Sequence, residues 1–423
     1  MAARTLEALI CGKPVGKLCQ DEAGLISFTY NEDYAGAPLS LSMPVSNRTY
    51  PQKVVVPYLF GLLPDSESVR RDIAMEYDIS PNNPVAMLEH AGLDCPGGVQ
   101  FCRPDAIEES LHRSGAYAPI SEAQIASRLR QLRERAEESW LGADEHWSLG
   151  GNQGKFALAW HNNAWHACLG SAATTHIFKN GVIGFKLQAL NEFVCMKLAR
   201  ACNIPTAGVA YQLFEDEPAL IVERYDRIAR PDGSYSRAHQ EDFCQSLGVH
   251  PKQKYTSDGG PTTADAVALL ASTKEARNNL IWFTQMLFFN CLIGAPDAHA
   301  KNYSLLLGEG RDALLAPMYD VASGLAYESL RRKGRLAMAV GGENRFGRVG
   351  AGAITRYSEL PGMAKADIST ELCIAIMRHL AELIPAKLGE VFDTWMGIPG
   401  MHELRGHLER PIAENCADTL RAL

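Results

Sequence analysis

Asp297-Ala298-His299-Ala300-Lys301-Asn302, with Asp320 further on, is the stretch on which the reading of the whole chain turns. Phosphoryl transfer asks little covalent chemistry of a protein. It needs metal ions across the phosphates, cations on the oxygens and a carboxylate that orients the incoming hydroxyl. In a kinase catalytic loop the base aspartate stands five positions before a metal-binding asparagine, the separation of Asp297 and Asn302. Magnesium is a hard cation that takes oxygen ligands and few protein groups, so a second carboxylate is required. Tyr303–Leu307 and Ala313–Ala316 read as a hairpin around Gly308-Glu309-Gly310, which would return Asp320 to Asn302. Asp297 alone would read as a polar turn; the ordered set Asp297, Asn302 and Asp320 points to ATP-dependent phosphotransfer. The His-Arg pair that usually precedes such an aspartate is replaced by Ala295-Pro296, and Val321-Ala322 stand where Phe-Gly would follow Asp320. His299 and Lys301, inside the loop, are placed to meet phosphate oxygens.

Working outward, the preceding apolar stretch Leu280–Gly294 contains Thr284, Gln285 and Asn290. It is shorter and more polar than the ~20 apolar residues a membrane span needs and reads as a buried helix. Upstream, Glu223-Arg224-Tyr225-Asp226-Arg227 follows the apolar run Leu220–Val222, where a kinase hinge meets adenine; a charged strand end is the alternative reading. Lys179 ends the strand-like run Thr175–Lys179, and Glu192 lies near the start of a helix over Asn191–Ala201. These match the lysine that holds the phosphates and its glutamate partner. Standing alone they would be a surface lysine and a first-turn acid favoured by the helix dipole.

Ser148-Leu149-Gly150-Gly151-Asn152-Gln153-Gly154-Lys155 is a glycine-rich turn. A Walker loop is excluded, because Leu149 stands where its first glycine is needed and Phe156 where Ser or Thr is needed. A kinase flap or a plain hairpin loop remain. Strands are expected over Phe156–Trp160, Ala164–Leu169, Gln212–Phe214 and Ala219–Arg224.

Nearer the start, Ala8–Ile10 and Val15–Leu18 flank a hairpin turn, and Leu25–Tyr30 is a third strand. Asp65 or Ser66 caps a helix over Val69–Tyr77. Ile125, Leu129 and Leu132 fall at helical spacing. The expected organisation is an N-terminal subdomain over residues 1–106, a helical connector over 107–145, a strand-rich core with the Gly-rich loop over 146–260, and a helical part with the catalytic and metal loops over 261–423. The fold class is α+β: a two-lobed protein-kinase-like fold with an extra N-terminal α/β subdomain and a mainly helical C-terminal lobe.

Composition sets bounds. The 423 residues carry a net charge of −8, with 46% hydrophobic and 21% charged residues, ordinary values for a globular chain. That balance lacks the overall basic footprint of a nucleic-acid binder. The basic run Arg331-Arg332-Lys333-Gly334-Arg335 reads as a solvated loop. The eleven cysteines form no C-x-x-C pair, which argues against a disulfide framework or zinc knuckle and for a reducing cytoplasm. The first residues do not resemble a secretion signal.

Taken together these motifs resemble the HipA family of serine/threonine kinases, the toxin halves of bacterial toxin–antitoxin pairs. The resemblance takes in Leu39–Pro44, Leu62–Ser66, Ser148–Leu158, Thr174–Lys179, Asn191-Glu192, Val222–Arg227, Gln240–Asp242, Lys254–Pro261, the catalytic loop and Tyr319-Asp320. It implies ATP and Mg²⁺ as cofactors, Asp297 as the catalytic aspartate, and Asn302 and Asp320 on the metal. It implies a nucleotide site made by Gly151, Asn152, Gln153, Lys155, Lys179, Glu223, Tyr225, Asp226 and His299. Ser148 falls on the serine such kinases autophosphorylate. The implied partners are a helix-turn-helix antitoxin, through which alone DNA would be met, and a protein substrate of the aminoacyl-tRNA synthetase class; no membrane is expected. A small-molecule kinase of similar fold and a non-catalytic corepressor are the competing readings.

Overall fold

The computed structural model describes residues 3–112, 115–134 and 145–423. Part of the expected connector, 113–114 and 135–144, lies outside the described residues. The chain forms two compact units that do not follow sequence order. One contains residues 1–180, 212–252 and 305–312; the other contains 181–211, 253–304 and 313–423.

The first unit is built on two sheets. Arg4–Ile10 and Lys13–Gln20 form a hairpin whose turn, Cys11-Gly12, has both φ angles positive at 51° and 79°. Such a two-residue turn matches the right-handed twist of its strands. The strands run in the order Thr49–Pro51, Ile26–Tyr30, Lys13–Gln20, Arg4–Ile10, Val99–Cys102. Helices Gln52–Leu62 and Pro84–Ala91 pack on this sheet and bury Val55, Tyr58, Leu59, Val85 and Leu88 against Leu6, Ala8, Leu18, Phe28 and Phe101. Ser66 caps the helix Glu67–Glu76 by accepting the Val69 N–H.

The second sheet holds Glu217–Glu223, His176–Lys179, Phe156–His161, Ala164–Leu169 and Ala116–Pro119 in that order. Phe156 and Phe178 stack at 5.1 Å, and Leu158 and Phe214 close the same core. The helix Glu122–Glu134 covers it with Ile125, Leu129 and Leu132, the residues at helical spacing.

Ion pairs join the two sheets, alongside backbone bonds such as the Ser148 N–H to the Asp94 carbonyl at 3.0 Å. Asp94, Arg224, Asp226, Arg227 and Arg237 are all buried. Asp94 accepts Arg237 Nη2 at 2.7 Å, Arg227 Nη2 at 2.8 Å and Thr174 Oγ1 at 2.7 Å. Asp226 accepts Arg224 Nη2 and Arg227 Nη1, both at 2.8 Å, and the Gly97 N–H at 2.6 Å. Burial opposes ionisation of Asp94, but Arg227, Arg237 and Arg224 outweigh it and hold the carboxyl well below the usual range. Two carboxylates and three guanidiniums thus occupy a dry joint, where removal of one partner strands a charge.

The strand Gln240–Asp242 carries a second buried acid. Glu241 accepts the Leu41 N–H at 2.8 Å, so the N-terminal segment Leu39–Pro44 is fastened to it. Burial pushes the Glu241 carboxyl up to about 7, against the hydrogen bonds from Ser40 and Leu41 that favour its charged form.

The other unit is helical. Thr370–Trp395 packs against Met401–Ala422, Ala276–Leu292 and Gln188–Ala201. Thr262 and Asp265 form a capping box at the start of Thr263–Ala271. Among the described residues no helix is long and apolar enough to cross a membrane.

Two stability changes follow. Asp94→Asn should lower the free energy of the first unit's unfolding transition by about 3–5 kcal/mol in urea melts. Glu241→Gln should act in a pH-dependent way. Between pH ~4.5 and ~7 the unfolded glutamate loses its proton while the folded one keeps it, so wild-type stability falls as pH rises. The glutamine variant escapes this. It should be more stable than wild type by on the order of 2–3 kcal/mol at pH 8, with the difference gone by pH 4.

Candidate active site

The helix Ala276–Leu292 ends abruptly, and its end delivers Asp297. Gly294 has φ 62°, a left-handed conformation that glycine adopts without strain. Its N–H bonds the Cys291 carbonyl at 3.2 Å and the Ala295 N–H bonds the Asn290 carbonyl at 2.8 Å. This is a Schellman stop, and the proline that commonly follows one is Pro296. The Ala295-Pro296 lead-in is therefore the punctuation of a helix. The remaining carbonyls also find donors. Asn415 Nδ2 donates to Cys291 at 3.0 Å and Leu292 at 2.7 Å, Ser323 Oγ donates to Ile293, and the Gly324 N–H donates to Gly294 at 2.8 Å. Asn191 holds Ser323 in turn, donating to its carbonyl at 2.8 Å and accepting its N–H at 3.0 Å.

The loop beyond is tied to itself. Asn302 Nδ2 donates to the Asp297 carbonyl at 2.7 Å, which turns the amide oxygen away from that contact. The Asp297 side chain is 65% exposed, while His299 beside it is buried with Nε2 3.8 Å from Asp297 Oδ1. Lys301 is buried too. The return strand is fixed by Asn279, whose Oδ1 accepts the Leu315 N–H at 2.8 Å. The Ala316 N–H then bonds the Ser304 carbonyl at 2.8 Å. Tyr319 closes the circuit: its hydroxyl donates to the Lys301 carbonyl at 2.7 Å and accepts from Ser304 Oγ at 2.6 Å. Asp320 directly follows Tyr319, whose hydroxyl is anchored to the residue before Asn302. Its φ is 59°, a left-handed value that aspartate adopts more readily than most non-glycine residues. An amide oxygen and a carboxylate, both hard donors, fit a magnesium ion.

In the first unit, Lys179 is buried at the end of its strand and pairs across the sheet with Leu220. Glu223 is exposed and pairs with His176. Tyr225 donates its hydroxyl to Gln240. The Asp226 carboxylate is buried and accepts from Arg224, Arg227 and the Gly97 N–H, so it is engaged as a structural anion. Glu192, expected as the partner of Lys179, is buried in the helix Gln188–Ala201 of the other unit.

The Gly-rich loop is folded onto the N-terminal module. Ser148 is buried and its Oγ donates to the Leu62 carbonyl at 2.6 Å. The Asp65 N–H bonds the Gly151 carbonyl at 2.9 Å, and Arg70 grips the Asp65 carbonyl at 2.9 Å. Lys155 turns inward and donates to the Gly150 carbonyl at 2.8 Å. Gly151 has φ 98°, and a Cβ there would stand 2.6 Å from Lys155 Nζ. Asn152 is exposed and Gln153 half-buried.

Among the residues in these contacts that had no role assigned from sequence are Tyr319 and Tyr255. Tyr255 donates its hydroxyl to Asp297 Oδ1. Both lay in stretches that carry the resemblance, but their contacts are tertiary and no local spacing announces them.

Comparison with known proteins decides the family. The model of the HipA-like C-terminal domain matches residues 147–388, and that of the HipA N-terminal domain matches residues 6–102. The chain belongs to the HipA family. Among its relatives, "Putative kinase Y4mE" of Sinorhizobium fredii is 36% identical over 351 residues, 81% of this chain and 82% of that protein. The serine/threonine-protein kinase toxin HipA of Shewanella oneidensis is 28% identical over 406 residues, 92% of this chain and 89% of that one. The solved complex of Shewanella oneidensis HipA with HipB and its operator DNA matches with a TM-score of 0.83 at 25% identity, covering 98% and 97% of the two chains. The mixed α+β fold is thus the HipA fold, and the family is one whose members include proteins named as kinases.

The helix stop predicts its own sensitivity. Gly294→Ala would place a Cβ 2.7 Å from Leu325 Cγ at a positive φ. Thermal melts should show a loss of about 1–2 kcal/mol. Displacement of Asp297 should slow phosphoryl transfer by roughly 10-fold or more in a labelled-ATP assay.

Proposed function

We propose that this HipA-family chain is an ATP-dependent serine/threonine protein kinase acting as the toxin of a toxin–antitoxin pair. The observation that supports the reading is the pair of ties Asn302 Nδ2 to the Asp297 carbonyl and Tyr319 hydroxyl to the Lys301 carbonyl, around an Asp297 side chain that is exposed. Asp297 would accept a hydrogen bond from the acceptor hydroxyl and orient it toward the γ-phosphate. Asn302 and Asp320 would hold magnesium, which would neutralise charge on the phosphate oxygens. His299 and Lys301 would contact the phosphate oxygens. In the other unit, Lys179 would hold the phosphates, with Gly151, Asn152, Gln153 and Lys155 in the covering loop. Backbone groups at Glu223 and Tyr225 would receive the adenine edge.

Ser148 is the proposed autophosphorylation site. A phosphate adds about −1.5 to −2 charge and has no room beside the Leu62 carbonyl, so the modified loop must leave its seat on the N-terminal module. That departure would remove the loop from the nucleotide and silence the enzyme. The proposed partner is a HipB-like helix-turn-helix antitoxin, with DNA met through it. The proposed substrate class is an aminoacyl-tRNA synthetase, whose modification would stall translation and growth. The net charge of −8 fits a partner that supplies the DNA-binding charge itself.

The test is Asp297→Asn in purified protein given γ-labelled ATP and a cell extract. Transfer to protein should fall about 100- to 10,000-fold with nucleotide affinity retained. Transfer that survived the substitution would remove Asp297 from the chemistry. A labelled small molecule without labelled protein would move the acceptor to metabolites.

A further inference from the structure

The carboxylate of Asp297 is exposed, and an exposed aspartate can turn freely about its side-chain bonds. Here it is not left to do so. The phenol of Tyr255 donates a hydrogen bond to Asp297 Oδ1. Tyr255 itself is well braced. Its ring meets His299 edge-to-face at 4.7 Å between centroids, and the Lys254 ammonium lies 5.6 Å from its centroid on the other contact. The Tyr255 carbonyl accepts the Asp258 and Gly260 N–H groups, each at 3.0 Å, and so closes a short turn. One residue earlier, the Lys254 carbonyl accepts the Ala300 N–H at 3.3 Å. The segment is therefore pinned by its backbone to the loop whose carboxylate its side chain holds.

We infer that Tyr255 is a positioning residue for phosphoryl transfer: its hydroxyl holds Oδ1 of Asp297 and so fixes the direction in which the carboxylate meets the acceptor hydroxyl. The inference rests on the reading of Asp297 as the orienting carboxylate. A carboxylate with one oxygen bonded to a donor is held in one rotamer. A hydrogen bond to an ionised acceptor is among the stronger ones, enough to select one orientation at an exposed site. His299 cannot substitute, because its Nε2 stands at 3.8 Å from the same oxygen. The ring contact explains why a tyrosine serves: it reaches the carboxylate while packing on a buried imidazole of the same loop.

Tyr255→Phe deletes the hydroxyl and keeps the ring against His299. Full-length protein is assayed for transfer of labelled phosphate in single turnovers, for KM toward MgATP and for melting temperature. The expected result is a fall in kcat of about 10-fold or more, with KM for MgATP within about 2-fold of wild type and an unchanged melting temperature. An unchanged or faster kcat would overturn the inference; a faster one would make the phenol an obstacle to the acceptor. A joint loss of kcat, MgATP affinity and melting temperature would assign Tyr255 to folding, and would overturn it as well. Asp297→Asn, run in parallel, separates the two claims. If it abolishes transfer while Tyr255→Phe does nothing, only the role of Tyr255 fails; if it leaves transfer intact, the underlying reading of Asp297 fails.

Discussion

The end of the helix Ala276–Leu292 is the constraint on which the catalytic geometry depends. A helix leaves its last carbonyls without intrahelical partners, and a buried end must satisfy them by other means. Here five consecutive carbonyls, from Asn290 to Gly294, receive donors from Gly294, Ala295, Asn415, Ser323 and Gly324. Beyond the local Gly294 and Ala295, the donors come from the far C-terminal helix and from the segment just after Asp320. Satisfying the helix end thus draws together the parts of the unit that must meet for chemistry. Asp297 leaves a stop that cannot slide by a residue without unpairing buried carbonyls.

The first unit solves a different problem, the attachment of a small sheet-and-helix module to a second sheet. Apolar packing within each sheet is ample, but the joint includes a cluster of five ionised side chains. Such a joint is costly to desolvate and unforgiving of a missing partner. It is also directional, since guanidinium–carboxylate pairs fix angles as well as distances. The Gly-rich loop is seated against that same module through Ser148 and Gly151. The N-terminal module is therefore a seat for the loop as well as an appendage.

Much of this was legible in the sequence because it is local. The separation of Asp297 and Asn302, the hairpin before Asp320, and the helical spacing of Ile125, Leu129 and Leu132 are written within a few turns of chain. The Cys11-Gly12 turn and the Ser66 cap are equally local. What escaped depends on partners far along the chain. Asp226 read as a hinge residue because it stands among charges at a strand end; the counter-charges that bury it include Arg227 and Arg224, and the joint is completed by Asp94, 132 residues before it. Ala295-Pro296 looked like a missing signature until Gly294 showed a helix stop. Tyr255, Tyr319 and Glu241 sat in noted stretches without a role, since a hydroxyl or a carboxyl gives no local sign of the atom it will bond.

The central proposal is that Asn302 and Asp320, on segments tied by the Tyr319 contact to Lys301, would form the metal side of a phosphotransfer site. Manganese is a paramagnetic stand-in for magnesium, and its free signal in electron paramagnetic resonance falls as it binds. Titrating Mn²⁺ into the protein with a non-hydrolysable ATP analogue tests the claim most directly. The account predicts nucleotide-dependent binding that is lost in Asp320→Ala and kept in Asp297→Asn. Binding as tight in Asp320→Ala as in the unaltered protein would contradict it.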